Sequence, residues 1–322
     1  MCDSGYWAGG IESGQERGTI LGMARIDIMG VSHTYELTPA GSSPQTLVFI
    51  HGWLLSREYW QPVISQLSAS FQCLSYDLRG FGQSQPTEEV LTTSVTTVKE
   101  RLSTVVDHLV DSPYTASAYA NDLAILLEKL NIKSAWLIGH SLGGTIALWG
   151  AAQFPECVQG VICINSGGGI YLKEAFEQFR KVGQQMLKFR PRWLGYAPLI
   201  NLMLTRVSVS TAIAPHWGRQ RLIDFVVADA KVALGTLLDS TTEEEINCLP
   251  QLVAQLQQPV YFIAGAEDQI MEPKYVRHLA SFHPLFQCSG ENVIEIPHCG
   301  HLAMIEQPLA VANRIEMIVN QH

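Results

Sequence analysis

The sequence predicts an α/β fold in which a mostly parallel central sheet is flanked by helices and interrupted by a helical insertion. Short apolar runs alternate with longer runs whose apolar residues recur every three or four positions. That alternation is typical of βαβ units, because a parallel sheet needs a helical crossover between neighbouring strands. A glycine-rich turn at residues 139–143 joins an apolar run to a helix-like run and is the most informative segment of the chain.

The individual elements follow from the spacing of the apolar residues. Buried strands are predicted at the short continuous apolar runs, residues 134–138, 158–165, 259–264 and 292–296. Residues 57–68 are predicted to form the first crossover helix, because Trp60, Ile64 and Leu67 fall on one face. Another helix is predicted over residues 118–130, whose leucines recur with the same helical spacing.

The chain divides into a core and an insertion. Residues 1–21 are rich in glycine and predict a flexible N-terminal tail, while residues 22–166 and 257–322 are predicted to form the core. Between the two core segments, helices are predicted at residues 172–186, 198–204, 218–238 and 242–256. Residues 87–113 form a further stretch to which the sequence assigns no function.

Composition limits the partners of the protein. Of its 322 residues 47% are hydrophobic, which is ample for a core, and its net charge is −9. The negative charge argues against a nucleic-acid partner and an anionic membrane surface. Seven cysteines without a repeated spacing favour reduced thiols and a cytoplasmic location, and the N-terminal residues lack the apolar core of a secretory signal. No apolar run approaches the roughly 20 residues of a membrane span, so none is expected.

Residues 139–143 are the candidate nucleophile turn. They read Gly-His-Ser-Leu-Gly and lie between a predicted strand and a predicted helix. In that context Gly-x-Ser-x-Gly indicates a nucleophile elbow, which lifts the serine side chain out of the sheet. The glycines are needed because the turn is too tight for side chains two positions before and after the serine. Ser141 is therefore the candidate nucleophile.

A serine hydroxyl is a weak nucleophile, so it requires a base and a group that orients the base. In elbow enzymes the three groups follow in the order serine, acid, histidine. Asp268 follows one predicted strand and is the candidate acid, while His301 follows the next and is the candidate base. Glu267 is the alternative acid, and His298 is the alternative base.

Two further clusters raise the question of a cofactor or a metal. The glycines at 167–169 lack the pattern of a phosphate-binding loop, and no lysine followed by serine or threonine comes after them. His298, Cys299 and His301 are close in sequence, but no carboxylate-rich helix or HExxH pattern accompanies them. We therefore expect neither a cofactor nor a metal.

Taken together, these segments resemble the α/β-hydrolase fold enzymes with a serine nucleophile. The resemblance extends from about Arg25 to the C-terminus and rests on five segments in a fixed order, residues 49–53, 76–84, 139–143, 265–268 and 298–301. It implies an α/β-hydrolase fold in which the insertion, residues 167–256, is a cap over the carboxyl edge of the sheet. It further implies an oxyanion hole formed by the backbone N–H groups of Trp53 and Leu142.

The predicted function is hydrolysis of a carboxylic ester through an acyl-enzyme. Since the cap is rich in large apolar residues, the expected partner is a neutral, apolar, small-molecule ester. The candidates for its pocket, which could instead only pack the cap on the core, are Phe176, Phe179, Met186, Trp193, Trp217 and Phe225. A thioesterase, a carbon–carbon bond hydrolase and a ligand-sensing protein with little turnover remain open on the same residues. The oligomeric state is open as well.

Overall fold

The computed structural model describes residues 22–86, 112–167, 173–188, 190, 208–289 and 292–322. In these ranges eight strands form one sheet, with helices packed on both of its faces. The strands are β1 Ala24–Ile28, β2 Val31–Leu37, β3 Thr46–Ile50, β4 Gln72–Tyr76, β5 Ala135–His140, β6 Val158–Ile164, β7 Val260–Gly265 and β8 Val293–Ile296. The predicted fold class is thereby confirmed.

Helices separate most of these strands along the chain. Those of the core are α1 Gln61–Leu67, α2 Ala116–Lys129, α3 Leu142–Gln153, α8 Pro273–Ala280, α9 Pro284–Ser289, α10 Ala303–Glu306 and α11 Pro308–Val319. Those between β6 and β7 are α4 Lys173–Lys188, α5 Pro215–Val227, α6 Ala230–Asp239 and α7 Glu243–Gln255.

The sheet has the strand order β1-β2-β4-β3-β5-β6-β7-β8. The β1–β2 and β2–β4 pairs are antiparallel, and every later pair is parallel. The six parallel strands, which in sheet order are β4-β3-β5-β6-β7-β8, therefore direct their carboxyl ends to one edge. Ligands of open α/β sheets usually bind at that edge.

The core lies in two layers, one on each face of the sheet. Along β3, Val48 and Ile50 belong to the layer beneath α2 and α3, whereas Leu47 and Phe49 belong to the layer beneath α1 and α11. This alternation is the two-residue period of a strand that is buried on both faces. Each fully buried aliphatic side chain contributes about 1.5–3 kcal/mol.

Two predicted helices differ from the observed ones. Residues 57–68 are not one α-helix, since a 3₁₀ turn at Arg57–Trp60 precedes α1, which has Pro62 in its first turn. Residues 218–238 are also not one helix. Ala228 is extended, and Asp229 begins α6 by accepting the Val232 N–H at 2.8 Å. The prediction of one helix was wrong because Asp229, which lies inside a continuous apolar pattern, caps the start of a second helix.

The remaining predicted cap helices have mixed outcomes. Two of them agree with α4 and α7, the second beginning after Thr242, which accepts the N–H of Glu245. The predicted helix 198–204, the tail 1–21 and most of the stretch 87–113 lie outside the described residues. The four described helices between β6 and β7 are called the cap helices below, and their role as a cap with the bounds 167 and 256 stays a prediction.

The contact of Gly160 with Trp136 gives a stability prediction. In Gly160→Ala the new Cβ would lie 2.4 Å from the ring of Trp136, which is fully buried on the neighbouring strand. We expect a loss of about 1–3 kcal/mol in the free energy of unfolding, because a packed core cannot move the ring without strain. Urea denaturation measures it, and Gln159→Ala, an exposed position of β6, is the control. Equal stability of the two variants would contradict the prediction.

Candidate active site

The candidate catalytic residues all follow the carboxyl ends of parallel strands. Ser141 directly follows β5, while Asp268 lies three residues after β7 and His301 five residues after β8. Trp53 lies three residues after β3. Because these strands run in the same direction, the loops that carry the four residues meet at one edge of the sheet.

Ser141 has a strained backbone conformation at the turn between β5 and α3. Its φ is 53° and its ψ is −119°, a region that residues other than glycine rarely adopt. The Ser141 N–H donates to the Ile164 carbonyl at 3.0 Å, and the Ser141 carbonyl accepts from the Gly144 N–H at 3.0 Å. The surrounding fold thus imposes a conformation that costs about 1–3 kcal/mol, as is common at functional sites.

Two glycines allow the backbone to pack this closely. A Cβ on Gly139 would lie 2.1 Å from the carbonyl oxygen of Gly143. A Cβ on Gly143 would lie 2.2 Å from the carbonyl oxygen of Ile50. No side chain fits at either position, so α3 begins directly against β3 and β5. The first N–H groups of α3, starting with Leu142, therefore lie beside Ser141 and have no partner within the helix.

His301 lies against a buried carboxylate. Its Nδ1 is 2.8 Å from Asp268 Oδ2, and the Asp268 side chain is fully buried. Since an ionised carboxylate only accepts, Nδ1 carries the hydrogen and Nε2 is left as the basic atom. His140, which precedes Ser141, donates from Nε2 to the His301 carbonyl at 2.7 Å, and the two rings are 4.8 Å apart. These contacts attach the His301 loop to the elbow.

Four donors surround the Asp268 carboxylate. Oδ1 accepts from the N–H groups of Ile270 at 2.8 Å and Met271 at 3.0 Å, and Oδ2 accepts from Asn165 at 2.8 Å in addition to His301. Burial alone raises the pKa of this carboxyl, but the charge of His301 and the hydrogen bonds lower it below its ordinary value. The ionised form is therefore stable although the side chain has no contact with solvent.

The alternative pair, Glu267 and His298, lies at the surface. Their side chains are 52% and 82% exposed, and His298 Nδ1 is 3.2 Å from Glu267 Oε1. Glu267 also accepts from the Ser210 hydroxyl, and these two hydrogen bonds lower its pKa. The structure thus brings Asp268 and His301 together beside the elbow and pairs Glu267 with His298 in solvent.

His51 fixes the loop that carries the first predicted oxyanion donor. The Leu78 N–H donates to Nε2 at 2.9 Å, so Nδ1 carries the hydrogen and donates to the Gly52 carbonyl at 2.8 Å. Burial lowers the pKa of His51 and keeps the ring neutral. In a trans peptide the carbonyl and the following N–H point in opposite directions, so this bond directs the Trp53 N–H away from His51. A Cβ on Gly52 would lie 3.2 Å from Ser141 Cβ, so this peptide adjoins the elbow.

The Trp53 side chain connects this loop to the cap. Its Nε1–H donates to the Ala233 carbonyl in α6 at 2.9 Å, and its ring is 6.5 Å from that of Phe179 in α4. A Cβ on Gly183 of α4 would lie 3.3 Å from the Trp53 ring and 2.6 Å from Leu237 of α6. Two cap helices therefore meet the predicted oxyanion loop at one indole ring.

The residues predicted to line the pocket do not share one location. Phe179 lies beside Trp53, as that prediction requires. Phe225 is instead buried in the hydrophobic core, which is the alternative role. The side chain of Phe176 and all of Trp193 lie outside the described residues. Met186 and Trp217 pack against the two core layers. An apolar wall of Trp53 and Phe179 at the site stays a proposal.

Asn165 is a residue of the site that the sequence analysis did not single out. It directly follows β6, and its Nδ2 donates to Asp268 Oδ2 at 2.8 Å and to the Gly300 carbonyl at 3.1 Å. One amide thus holds the carboxylate and the loop of His301 together. A polar residue at the carboxyl end of a buried strand is a signal that could have identified it.

Glu306 is a second such residue. It accepts the N–H groups of Gly300 at 3.0 Å and Leu302 at 3.1 Å, the two neighbours of His301. The same carboxylate accepts the Ser210 N–H at 2.7 Å. Glu306 therefore ties the His301 loop to the segment that leads into α5. The contact with Ser210 joins residues distant in sequence, so no local pattern indicates it.

Other features of the described ranges bear on the expected partners. In this part of the chain, no group of three or more histidine, cysteine or acidic side chains is arranged to hold a metal ion. None of its helices combines the length and the apolarity that crossing a bilayer requires. Its five cysteines, which form no disulfide with one another, are Cys73, Cys157, Cys163, Cys248 and Cys299.

Known proteins resemble this chain over most of its length. It is 25% identical over 298 residues to the uncharacterized hydrolase YugF of Bacillus subtilis, covering 90% of this chain and 95% of that protein. It is 23% identical to 3-oxoadipate enol-lactonase 2 of Acinetobacter baylyi, covering 85% and 88%.

Solved structures share the fold. A thermophilic esterase from Thermogutta terrifontis with malate bound superposes with a TM-score of 0.70 at 22% identity, covering 92% of this chain and 98% of that one. The enol-lactonase from Burkholderia xenovorans has a TM-score of 0.67 at 18% identity, covering 92% and 100%.

A family model described as alpha/beta hydrolase fold matches residues 45–308. The match includes the elbow, the carboxylate loop after β7 and the histidine loop after β8. It agrees with the observed, mostly parallel sheet flanked by helices. The chain therefore belongs to the α/β-hydrolase fold family.

Proposed function

We propose that this hydrolase of the α/β-hydrolase fold family is a serine hydrolase that cleaves a carboxylic ester. The observation that carries the proposal is the buried hydrogen bond from His301 to Asp268, attached to the elbow of Ser141. A histidine whose Nδ1–H donates to a buried carboxylate has Nε2 free to accept a proton. A serine in the backbone conformation of Ser141 is what such a base activates.

In the proposed mechanism, His301 Nε2 takes the hydroxyl proton as Ser141 Oγ attacks the ester carbonyl. The tetrahedral oxyanion accepts hydrogen bonds from the N–H groups of Trp53 and Leu142, each worth about 3–4 kcal/mol in such a site. The imidazolium then protonates the departing alcohol, which leaves an acyl group on Ser141. A water molecule, deprotonated by His301, hydrolyses that acyl-enzyme and releases the acid. Asp268 stays ionised throughout and orients the imidazole.

For the substrate, we propose an ester with an apolar acyl or alcohol group. Trp53 and Phe179 support this part, since they supply an apolar wall beside the elbow. The name of the enol-lactonase relative also supports cleavage of an ester-type bond. The expectation of a wholly neutral substrate rested on the large apolar residues of the cap, and Arg221 of α5 bears on that expectation. The cytoplasmic location stays a prediction from cysteine usage.

A thioesterase or a carbon–carbon bond hydrolase would use the same three side chains, and a ligand sensor would keep them without fast turnover. Turnover of p-nitrophenyl esters separates the sensor from the enzymes. Multiple turnovers support the enzyme, whereas a single slow burst supports the sensor. Parallel assays with acyl thioesters and with vinylogous 1,5-diketones distinguish the three bond types.

Replacing the nucleophile tests the mechanism directly. Ser141→Ala should lower kcat by at least about 10³-fold, because no other group can carry the acyl intermediate. The free energy of unfolding should change little, since the side chain is small and only partly buried. Ester hydrolysis and labelling by a fluorophosphonate measure the effect. Activity above a tenth of wild type would remove Ser141 from the mechanism.

The choice of the acid is tested by a matched pair of neighbours. Asp268→Asn should lower kcat by about 10⁴-fold, because the buried hydrogen bond then no longer holds His301 in its reactive tautomer. Glu267→Gln should change kcat little, since its carboxylate faces solvent. Steady-state kinetics of both variants are compared at one pH. If the two effects are reversed, Glu267 is the orienting acid.

The apolar wall predicts a chain-length preference. The value of kcat/KM should rise from acetyl to octanoyl esters, with each buried methylene contributing about 0.8 kcal/mol at most. Phe179→Ala should flatten this rise, because it removes one side of the wall. Val182→Ala, an exposed position of the same helix, is the control. A flat profile in the wild type would show that the cap residues do not form the acyl pocket.

A further inference from the structure

Arg221 lies on the face of α5 that is turned toward the core. Trp217, Arg221 and Asp224 are spaced four and three residues apart, so they share one side of the helix. The Trp217 ring is 5.4 Å from that of Tyr59, and Asp224 Oδ2 accepts from the Ser56 hydroxyl at 3.1 Å. Since both neighbours on this face contact the segment that follows the predicted oxyanion loop, Arg221 lies over that segment as well.

This arginine has no partner in the part of the chain that the structure describes. It makes neither a hydrogen bond nor an ion pair there, although it is partly buried. In the described ranges Asp224 forms no ion pair with it, and its two oxygens accept from the Ser56 hydroxyl and the Gln220 amide. Burial raises the pKa of Asp224 to about 7, so near neutral pH it is only partly ionised. The Tyr59 hydroxyl, which is fully buried, is a further neighbour of this carboxyl.

The charge of Arg221 also acts on a residue beside the elbow. The pKa of His140 is lowered first by burial and then by the charge of His301, and the charge of Arg221 contributes to the same lowering. His140 precedes Ser141 and packs its ring against that of His301. A positive charge that acts on His140 therefore acts on the space beside the elbow.

An unpaired cation in a poorly hydrated position is unfavourable unless an anion binds it. Burial lowers the pKa of Arg221 itself, and Tyr59 and Asp224 only partly oppose that effect. The planar guanidinium matches a carboxylate with two parallel hydrogen bonds. The geometry points to a substrate that carries a carboxylate in addition to the ester, with Arg221 as the residue that binds it. This inference rests on the proposed function and revises the expectation of a neutral substrate.

The kinetic test uses ester pairs that differ only in a carboxylate. One pair is p-nitrophenyl hexanoate and p-nitrophenyl hydrogen adipate, with the charge on the acyl side. The other is phenyl hexanoate and 4-carboxyphenyl hexanoate, with the charge on the alcohol side. In at least one pair the wild type should favour the charged ester by tenfold or more in kcat/KM. The pair that shows the preference identifies the side of the ester that faces Arg221.

In Arg221→Gln that ratio should fall by at least tenfold, and Arg221→Lys should retain part of it, because lysine keeps the charge but not the planar fork. The control is Arg219→Gln, which removes an equal charge from an exposed position of the same helix and should leave the ratio unchanged. Equal effects of the two glutamine variants, or no preference in either wild-type pair, would overturn the inference.

A binding measurement keeps the inference testable without turnover. In the Ser141→Ala protein, methyl hydrogen adipate should bind at least tenfold more tightly than dimethyl adipate, and Arg221→Gln added to this protein should abolish the difference. Equal binding of the two esters overturns the inference. If wild type hydrolyses no ester and Ser141 is not labelled, the proposed function fails, and the binding difference still decides whether Arg221 selects a carboxylate.

The melting temperature separates recognition from a structural role. If the function of Arg221 is to bind an anionic substrate, Arg221→Gln should keep or raise the Tm of the free protein, since it removes an unpaired cation. A lower Tm together with an unchanged ratio of kcat/KM values would show that Arg221 only supports the fold.

Discussion

The contact of α3 with the ends of β3 and β5 is the constraint on which the site depends. A helix can begin this close to two strands only where Gly139 and Gly143 leave space for carbonyl oxygens slightly more than 2 Å from where a Cβ would stand. The chain then turns so sharply that Ser141 is forced to a positive φ. The same turn places the free N–H groups of the α3 N-terminus beside the serine. One packing contact thus determines the position of the proposed nucleophile and of a proposed oxyanion donor together.

Two buried aspartates illustrate how surroundings decide the charge of a side chain. Asp268 accepts two backbone N–H groups, the amide of Asn165 and the ring of His301, and its pKa is lowered. Asp224 accepts one hydroxyl and one amide, and its pKa is raised to about 7. Burial raises the pKa of both carboxyls. The charge of Asp77 raises that of Asp224 further, whereas the charge of His301 and the hydrogen bonds lower that of Asp268. The first aspartate is therefore suited to orient a histidine, whereas the second is a weak counter-charge for an arginine.

Local pattern predicted the strands, the elbow and the candidate members of the triad, because residues close in sequence signal each of them. It left Asp268 and Glu267 as alternatives, since adjacent carboxylates differ only in which way the loop directs them. It joined α5 and α6 into one helix, because the apolar spacing continues through Asp229, whose side chain caps the second helix. The contact of Glu306 with Ser210 and the position of Arg221 depend on how the cap helices fold back on the core, and no period in the sequence carries that information.

The indole of Trp53 makes the cap and the catalytic core difficult to exchange as separate modules. Its hydrogen bond to Ala233 and its packing against Phe179 join the cap to the peptide that His51 aligns. A cap transplanted from a relative would have to present a carbonyl and an aromatic ring at the same two points. Without a cap that makes both contacts, the loop beside Ser141 would lose its outer support. New substrate ranges in this lineage are therefore expected to arise by substitutions elsewhere on the cap helices, with the residues around this indole retained.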